Sequence, residues 1–490
     1  MRISAWFFAA LSMIALLSPP GATHDEWYHT ASIWCGHGVR SPYCQEIGVV
    51  PEYGMSAVVN LDAINCKAEP EEPLNCPAER FGQSRPLMNG GLYPPVFYFV
   101  LSWFVVPSVE FSVILVRMAS AFSIALLFGL SIWLLPARFR TALLLVVLTG
   151  FSSTGFFLFA SLNPSSWSAA GIGIGWLPLF AAFVSRNLHV ARRIALAATG
   201  TLGFFMAAGS RWDVIPMISF VLVISAFCMG WELRPLWRRN LLLLTTFVPL
   251  ALFALLEKFS PFSPVHHLQT LYTYSDGQPD NTLFFSYNFT QALPNALRAL
   301  GTVPSLSLIV IPKIVYILGL LLLFYTMSQT VARPLKWQII GVIAVASVMA
   351  TLIMTQVATN DYRDLGSVEP RYIYPLLLFG LGWWFLQGSE ESFRRVSRHL
   401  KRIMRIAVGL YAISIFSIAE RFVDRQSFGI RTIPEGPDQW WWTWIPFGPN
   451  TVVVLSTFCI SVFFSTVATA VIQDCYQSGV SEVHSEESTN

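Results

Sequence analysis

The sequence predicts an all-α polytopic membrane protein of about 12 transmembrane helices with a large first external loop. Of its 490 residues, 54% are hydrophobic and only 12% are charged, and the mean hydropathy is +0.55. A soluble domain carries roughly twice that charged fraction. Apolar stretches close to membrane-spanning length recur along the chain, and basic residues are concentrated in alternate short loops between them. The lipid bilayer is therefore the first expected partner.

Composition also excludes several classes of protein. The net charge of +3 is too small to indicate binding to nucleic acid. The predicted cytoplasmic loops are too short to form a nucleotide-binding domain, and the chain contains no Gly-rich phosphate loop of the GxxxxGK type. An ATP-driven pump is therefore not expected.

The first segment, residues 1–19, is apolar but shorter than the ~20 residues that a spanning helix needs. We interpret it as a short first transmembrane helix. The alternative is a cleaved signal peptide that begins with Arg2. Both interpretations place the residues that follow on the non-cytoplasmic side.

Residues 20–110 contain no predicted spanning helix and hold four of the seven cysteines, Cys35, Cys44, Cys66 and Cys76. Clustered cysteines in an external loop indicate disulfides in an oxidising compartment. We favour local pairing, Cys35 with Cys44 and Cys66 with Cys76, among three connectivities. Zinc is the competing interpretation, but the spacings fit no common zinc motif.

The end of this loop is an aromatic, proline-led segment. Tyr93 is followed by Pro94 and Pro95 and then by an apolar run to Val106, which is too short to cross a bilayer comfortably. We predict a helix that lies in the membrane interface, with the prolines setting its first turn.

Residues 111–475 are predicted to form the transmembrane bundle, and residues 476–490 a cytoplasmic tail. Hydropathy places eleven further helices in the bundle, at about 112–135, 141–160, 167–185, 194–209, 213–230, 241–256, 312–328, 337–357, 371–388, 403–419 and 450–472.

The distribution of charge predicts the orientation of these helices. Five short alternate loops hold 16 of the 31 basic residues: Arg138, Arg140, Arg186, Arg192, Arg193, Arg234, Arg238, Arg239, Arg333, Lys336, Arg394, Arg395, Arg398, Lys401, Arg402 and Arg405. The positive-inside rule assigns such loops to the cytoplasm. We therefore expect a multi-pass protein of the plasma membrane with its carboxyl terminus inside.

Ionisable groups at the external ends of the helices are candidate functional residues, because charge at a membrane boundary is costly. The two adjacent carboxylates Asp25 and Glu26 directly follow the first segment. Three arginines share this predicted depth: Arg117, Arg211 with Asp213 close by, and Arg371. The alternative for each is a side chain that snorkels to lipid headgroups.

These residues carry a resemblance. The acidic pair after the first helix, the long external loop, the Pro-Pro-aromatic helix and Arg117-Met118-Ala119-Ser120 together resemble GT-C glycosyltransferases. Further motifs are similar to a bacterial polytopic membrane family of unknown function that is grouped with them. These motifs are Leu162-Asn163-Pro164-Ser165, Leu300-Gly301 with Ile311-Pro312-Lys313, and Pro370-Arg371-Tyr372-Ile373-Tyr374-Pro375.

The resemblance implies a GT-C-like fold and transfer of a sugar from a polyprenyl-phosphate donor to a glycan or lipid acceptor of the cell envelope, on the external face. It implies the following roles: Asp25, with Glu26 second, as catalytic proton acceptor; Arg371, Arg211 and Arg117 on the donor phosphate; His29, Asn163, Tyr93 and Tyr372 in substrate binding. A divalent metal, Mg or Mn, on Asp25 or Glu26 stays open, since no second acidic ligand is identifiable. No other cofactor is expected.

Two other functions stay open at this point. A lipid or polysaccharide flippase or transporter would use the same charged residues to carry a lipid phosphate across the membrane. A non-catalytic envelope-assembly subunit would use the external loops, including Trp440-Trp441-Trp442, as docking surfaces.

The charge pattern yields a topology prediction. Reporter fusions should place the carboxyl terminus in the cytoplasm and give twelve helices, or eleven if the first segment is cleaved. A fusion at Ser478 that reports from outside the cell would contradict this orientation.

Overall fold

The structure is a computed structural model of the chain. It describes residues 2–18, 26–37, 45–50, 54–58, 93–151, 153–185, 188–211, 213–229, 313–331, 336–359, 370–423, 442, 445–446 and 448–487. All structural statements below concern these residues.

The described residues in the first half of the chain form nine helices and one small sheet: α1 (Arg2–Ala15), α2 (Glu26–Trp34), β1 (Gln45–Val50), β2 (Gly54–Val58), α3 (Pro95–Ser102), α4 (Val109–Leu134), α5 (Ala137–Gly150), α6 (Ser153–Phe159), α7 (Ser165–Val184), α8 (Val190–Ala208) and α9 (Val214–Met229). The rest forms α10 (Lys313–Gln329), α11 (Lys336–Thr359), a 3₁₀ turn (Pro370–Tyr372), α12 (Tyr374–Leu386), α13 (Glu390–Val423) and α14 (Pro449–Glu487).

The predicted helices and the structure agree closely in position. Eleven of the twelve predicted helices overlap a helix of the structure, and the twelfth, 241–256, lies outside the described residues. Five described helices are long and apolar enough to cross a membrane, namely α4, α7, α8, α13 and α14, while α1, α9, α10, α11 and α12 contain shorter apolar stretches. The predominantly helical fold is thus confirmed and supports a membrane protein, and the number of spans stays a prediction.

Two predicted helices have different bounds in the structure. The helix expected at 141–160 is two helices, because the chain breaks between α5 and α6. Glycine and serine are poor helix formers there, and the Tyr374 hydroxyl donates a 2.8 Å hydrogen bond to the carbonyl of Gly150 at the end of α5. The helix expected at 403–419 begins at Glu390. The basic residues from Arg394 to Arg405, which were assigned above to the loop before it, therefore lie within the helix.

Residues 20–110, the predicted external loop, also contain two strands, which the all-α prediction lacks. Strands β1 and β2 pair in antiparallel fashion, with Gln45 opposite Val58 and Val50 opposite Gly54. β-branched residues favour this extended backbone. The predicted proline-led helix is present as α3, with Pro95 in its first turn. Phe97 within α3 is buried, whereas Trp103, just after the end of the helix, is 68% exposed.

Helix α7 is the centre of the bundle. Every residue from Ser165 to Ala182 is buried, since α7 packs against α4, α8 and α12. The contact with α8 is made by small residues: a Cβ atom on Gly203 of α8 would lie 2.9 Å from the Cα of Gly175 and 3.0 Å from the carbonyl oxygen of Gly171. Small residues at such crossings let the backbones of membrane helices approach closely.

Helix α1 is part of the same core. Phe7 is fully buried, and its ring centroid lies 5.1 Å from those of Phe128 in α4 and Phe463 in α14 and 5.7 Å from that of Phe156 in α6. Edge-to-face and stacked rings at these distances contribute beyond their buried area. The first segment is thus a helix that packs in the core, and its retention stays a prediction.

Arginines of the predicted cytoplasmic loops bind the ends of neighbouring helices. Carbonyl groups in the last turn of a helix lack a partner within the helix, and three of these side chains donate to such groups, while the fourth donates to Val331, two residues past the end of α10. The bonds are Arg192 Nε to the Leu134 carbonyl (2.8 Å), Arg193 Nε to Ala182 (3.0 Å), Arg138 Nη2 to Leu386 (3.0 Å) and Arg395 Nη2 to Val331 (3.2 Å). Arg140 of α5 also forms an ion pair with Asp474 of α14. The basic loops thus gather at one end of the bundle.

The α7–α8 contact yields a stability prediction. Gly203→Ala should lower the melting temperature of the detergent-solubilised protein, because the added methyl group meets backbone atoms that cannot yield. Overpacking of this kind costs about 1–3 kcal/mol. Gly319→Ala on α10 is the matched control, since a Cβ there meets nothing within 4 Å. An equal shift in both variants would contradict this account of the contact.

Candidate functional site

Helix α2 carries four buried polar residues, Ser32 among them, at the end of the bundle opposite the basic loops. Glu26, His29 and Thr30 are each at most 1% exposed. The Thr30 hydroxyl donates to the Glu26 carbonyl at 2.6 Å, within the helix. The side chains of Glu26 and His29 are therefore available for contacts with other helices, and each makes a different one.

Glu26 forms a buried ion pair with Arg117 of α4. Arg117 Nε donates to one carboxylate oxygen at 2.8 Å and Nη2 to the other at 2.6 Å, and both side chains are 0% exposed. This two-bond arrangement is the preferred geometry for a guanidinium and a carboxylate. The pair joins α2 to α4 through two residues that are 91 positions apart in sequence.

Arg117 has further partners beyond Glu26. Its Nη1 donates to the carbonyls of Ala15 at 2.6 Å and Ser18 at 2.8 Å, at and just past the end of α1. Four of its five N–H donors are thus engaged. Trp442 adds a cation–π contact, with the guanidinium carbon 5.8 Å from the ring centroid, and its indole donates to the Leu16 carbonyl at 2.8 Å. Arg117 therefore connects α1, α2, α4 and part of the Trp-rich segment.

This geometry bears on two predicted roles. Glu26 was expected as the second choice for proton acceptor and Arg117 as a ligand of the donor phosphate. In the structure both are fully buried and bonded to each other, so neither reaches a surface that a substrate could contact.

His29 begins a second chain of contacts. Its Nδ1 lies 2.9 Å from the Tyr98 hydroxyl on α3, and its ring is edge-on to Tyr93, with centroids 5.1 Å apart. The Tyr93 ring in turn lies 5.6 Å from the guanidinium carbon of Arg211. His29 and Arg211, far apart in sequence, are thus joined through one aromatic ring.

Arg211 lies just past the end of α8 and is nearly buried. Its Nε and Nη2 donate to the two carboxylate oxygens of Asp213 at 2.9 and 2.8 Å, and its Nη1 donates to the Ser165 hydroxyl at the start of α7, at 3.1 Å. Burial lowers the pKa of Arg211, but attraction to Asp213 outweighs it, so that the pKa lies well above its ordinary value. The guanidinium is therefore a permanent positive charge.

Tyr372 brings the second arginine of the site close to the first. The guanidinium carbon of Arg211 lies 4.4 Å from the centre of the Tyr372 ring, and that of Arg371 lies 5.1 Å from the same ring. Arg371 Nη2 also donates to the Tyr372 hydroxyl at 3.3 Å. The negative face of the ring favours nearby cations. Two guanidinium groups from distant parts of the chain therefore gather around one tyrosine.

Tyr93 keeps its proton within this cluster. Burial, opposed by the positive charge of Arg211, raises its pKa to about 12. Burial raises this pKa because it disfavours the negatively charged phenolate. At neutral pH the hydroxyl is protonated and can donate a hydrogen bond.

Asn163 is connected to Arg211 through Ser165. Its side-chain oxygen accepts a 2.9 Å hydrogen bond from the backbone N–H of Ser165, the residue that also binds Arg211. Asn163 is 2% exposed. It therefore fixes the start of α7 beneath the site.

The structure thus brings five predicted site residues into one connected group, the arginine–tyrosine cluster, which consists of His29, Tyr93, Arg211, Arg371 and Tyr372. Three further residues complete it. Asp213 was noted from the sequence beside Arg211 but was given no role, and Tyr98 and Ser165 lie in motifs that were noted without a role for either residue. Each lies within or beside a motif singled out from the sequence, and that position was the available signal.

Several predicted residues cannot be placed. Asp25, Cys44, Cys66 and Cys76 lie outside the described residues. Cys35 is disulfide-bonded, but its partner is not among the residues described. The two proposed pairings therefore stay predictions.

A metal site is not formed by the residues the structure describes, since no three His, Cys, Asp or Glu side chains gather there. Glu26, one of the two ligands considered for Mg or Mn, directs both carboxylate oxygens at Arg117. The described residues therefore do not fit such an ion.

The chemistry of the cluster suits an anion. Two guanidinium groups, a protonated tyrosine and a serine hydroxyl supply hydrogen-bond donors around Tyr372. Arginine offers a planar pair of donors that matches carboxylate and phosphate oxygens. The cluster lies at the ends of α7, α8 and α12, and not at their centres.

Fold and site together define a helical membrane protein with a cationic site at one end of its bundle. Residues 7–259, just over half of the chain, match the family described as "Predicted membrane protein (DUF2142)". The chain therefore belongs to this family. Within the matched region lie His29, Tyr93 and Arg211, whereas Arg371 and Tyr372 lie outside it. No curated protein and no solved structure matches the chain.

The buried ion pair yields a prediction that separates a structural role from a catalytic one. Glu26→Gln should lower the stability of the folded protein by about 3–5 kcal/mol, because it leaves Arg117 buried without its counter-charge. The measurement is thermal unfolding in detergent.

Asp213→Asn provides the matched control for this change. Its carboxylate makes the same two-bond pair with an arginine but its side chain is 36% exposed, so the loss should be under about 1 kcal/mol. If Glu26→Gln unfolded at the wild-type temperature, the structural role assigned to the pair would be wrong.

Proposed function

We propose that the protein is a membrane glycosyltransferase of the GT-C type. It would move a sugar from a polyprenyl-phosphate-linked donor to a glycan or lipid acceptor of the cell envelope, on the external face of the plasma membrane. The observation that supports this most strongly is the gathering of Arg211 and Arg371 around Tyr372, at the end of the bundle opposite the basic loops.

The donor phosphate would bind to the two arginines. As the bond between sugar and phosphate breaks, negative charge develops on the departing phosphate, and cations already in place stabilise that charge. The Ser165 hydroxyl and the Tyr93 hydroxyl are further donors within the same cluster. We assign Arg117 a structural role here, since four of its donors are engaged by protein groups.

Proton transfer would fall to Asp25. The acceptor hydroxyl must lose its proton as it attacks the sugar, and a positioned carboxylate contributes about 10²–10⁴ in rate. Asp25 directly precedes Glu26, whose own carboxylate is bonded to Arg117. Asp25 itself lies outside the described residues, and we assign it this role from its place in the sequence, directly before α2. We assign His29, on α2, to acceptor binding.

The position of the cluster favours an enzyme over a flippase or transporter. A carrier that moves a lipid phosphate across the membrane needs polar groups along its path, whereas Ser165 begins α7, Arg211 follows α8 and Arg371 precedes α12. The third alternative, a non-catalytic assembly subunit, gives no reason for two arginines and a protonated tyrosine to gather in one buried place.

Substitution of Asp25 tests the proposal. Asp25→Asn keeps the size of the side chain but removes proton acceptance, so single-turnover sugar transfer in nanodiscs should fall by at least about 100-fold. Binding of the lipid donor should change little, because the lost interaction acts on the acceptor. The assay uses a panel of synthetic polyprenyl-phosphate sugars with envelope extract as acceptor.

Glu110→Gln is the matched control, a carboxylate on the first turn of α4 that is not part of the arginine–tyrosine cluster, and it should transfer sugar at the wild-type rate. Normal turnover by Asp25→Asn would remove this residue from the chemistry. Lipid phosphate moved across vesicle membranes without sugar transfer would instead identify a flippase.

A further inference from the structure

One side of helix α13 carries four exposed basic residues near the basic-loop end of the bundle. They are Arg398, Lys401, Arg402 and Arg405. Residues three and four apart lie on the same side of a helix, so the four form one stripe, which we call the basic face of α13. The opposite side of the same turns is buried in the core through Val396, Leu400 and Ile403.

The basic face differs from the other arginines at this end of the bundle, which are bound by the protein itself. Arg138, Arg192, Arg193 and Arg395 donate to backbone carbonyls, and Arg140 pairs with Asp474. Within the described part of the chain, nothing forms a hydrogen bond or ion pair with the side chains of the basic face. Like charges at this spacing repel one another, so a negative partner from outside the chain would stabilise them.

The length of the uncharged part of α13 holds the basic face close to the bilayer. The helix is long and apolar enough to cross a membrane, and the stretch from Ile406 to Ala419, 14 residues, contains no charged side chain. Such a stretch covers about 21 Å, whereas the hydrocarbon layer is about 30 Å thick. A crossing by α13 therefore places Arg402 and Arg405 at the boundary of that layer, beside the phosphate groups of the lipids.

The same side of α13 continues into an exposed apolar surface. Ile406 and Ile413 are 45% and 46% exposed, and a Cβ atom on Gly409 between them would meet nothing within 4 Å. These residues repeat at the spacing of the basic face, three and four apart, and so extend it along the helix. Basic residues followed by apolar residues on one side match the order of headgroup and hydrocarbon in a lipid leaflet.

We propose that the basic face of α13 is a binding site for the headgroups of anionic phospholipids, in the leaflet at the basic-loop end of the bundle. Anionic lipids attract basic segments next to a membrane helix. The guanidinium groups of Arg398, Arg402 and Arg405 each offer paired donors that match phosphate oxygens. The site lies at the opposite end of the bundle from the arginine–tyrosine cluster, and the inference does not depend on the proposed function.

One acidic residue on the same side of α13 does not neutralise this site. Glu391 is exposed and lies seven positions before Arg398. Two turns of helix, about 10 Å, separate the two residues along the axis. At physiological salt such a distance exceeds the screening length in water of about 8 Å. The charge next to the bilayer is therefore positive, and it favours an anionic over a zwitterionic headgroup.

Competition between two lipids tests the inference. The full-length protein in detergent is incubated with equal amounts of dioleoyl phosphatidylglycerol, which is anionic, and dioleoyl phosphatidylcholine, which is zwitterionic. Native mass spectrometry then counts the lipids that stay bound. The wild type should retain the anionic lipid about tenfold over the zwitterionic one. Incubation in ~1 M salt, where the screening length is about 3 Å, should reduce this preference to about twofold.

Two variants of the basic face identify the residues responsible. Replacing all four residues with glutamine, as Arg398→Gln, Lys401→Gln, Arg402→Gln and Arg405→Gln, should lower the preference to about twofold. The matched control keeps Lys401 and the charge, with Arg398→Lys, Arg402→Lys and Arg405→Lys, and should stay within about threefold of the wild type. Because the arginine–tyrosine cluster also attracts phosphate, the difference between the glutamine variant and the wild type is the decisive quantity.

Several outcomes would overturn the inference. Equal retention of the two lipids by the wild type would show that the protein has no such preference. An unchanged preference in the glutamine variant would place the lipid elsewhere, and loss of the preference in the lysine variant would contradict recognition by charge. If the glutamine variant did not fold, a wild-type preference that survived ~1 M salt would exclude the site. Salt-sensitive binding of a single-stranded oligonucleotide, without any lipid preference, would assign the basic face to nucleic acid instead.

Discussion

The buried ion pair between Glu26 and Arg117 is the interaction on which the site end of the bundle depends. Removing two charges from water is expensive, and the attraction between them offsets that cost only when geometry and further hydrogen bonds are good. Here the guanidinium also binds the carbonyls of Ala15 and Ser18. The end of α1, the start of α2 and the first turns of α4 are thereby held together, and His29 is placed beside Tyr93 as a result.

Burial decides what each arginine can do. Arg117, Arg211 and Arg371 were grouped from the sequence because they share one predicted depth. The structure separates them: Arg117 is enclosed with Glu26, while Arg211 and Arg371 flank Tyr372. A residue at a helix end can thus serve the fold or a ligand, and only its partners distinguish the two. Asp213, at the protein edge, belongs with the second group.

Much of the fold could be predicted from hydropathy, because a membrane helix must be apolar over most of its length. The residues of the cluster could be found as costly charges and aromatics at helix ends. The pairing of Glu26 with Arg117 could not, since it joins residues 91 positions apart. Nor could the break at Phe151, which depends on the Tyr374 hydroxyl reaching Gly150, or the start of α13 at Glu390, where charged residues continue a helix beyond the apolar stretch.

The arginines that bind helix ends at the opposite face have an electrostatic consequence for the site. Helices α4, α7 and α12 all begin on the side of the arginine–tyrosine cluster, so the positive ends of their dipoles point toward it. Their negative ends lie where Arg192, Arg193 and Arg138 donate to the last carbonyls. The guanidinium groups offset those negative ends, and the field of the backbone that remains favours an anion at the site.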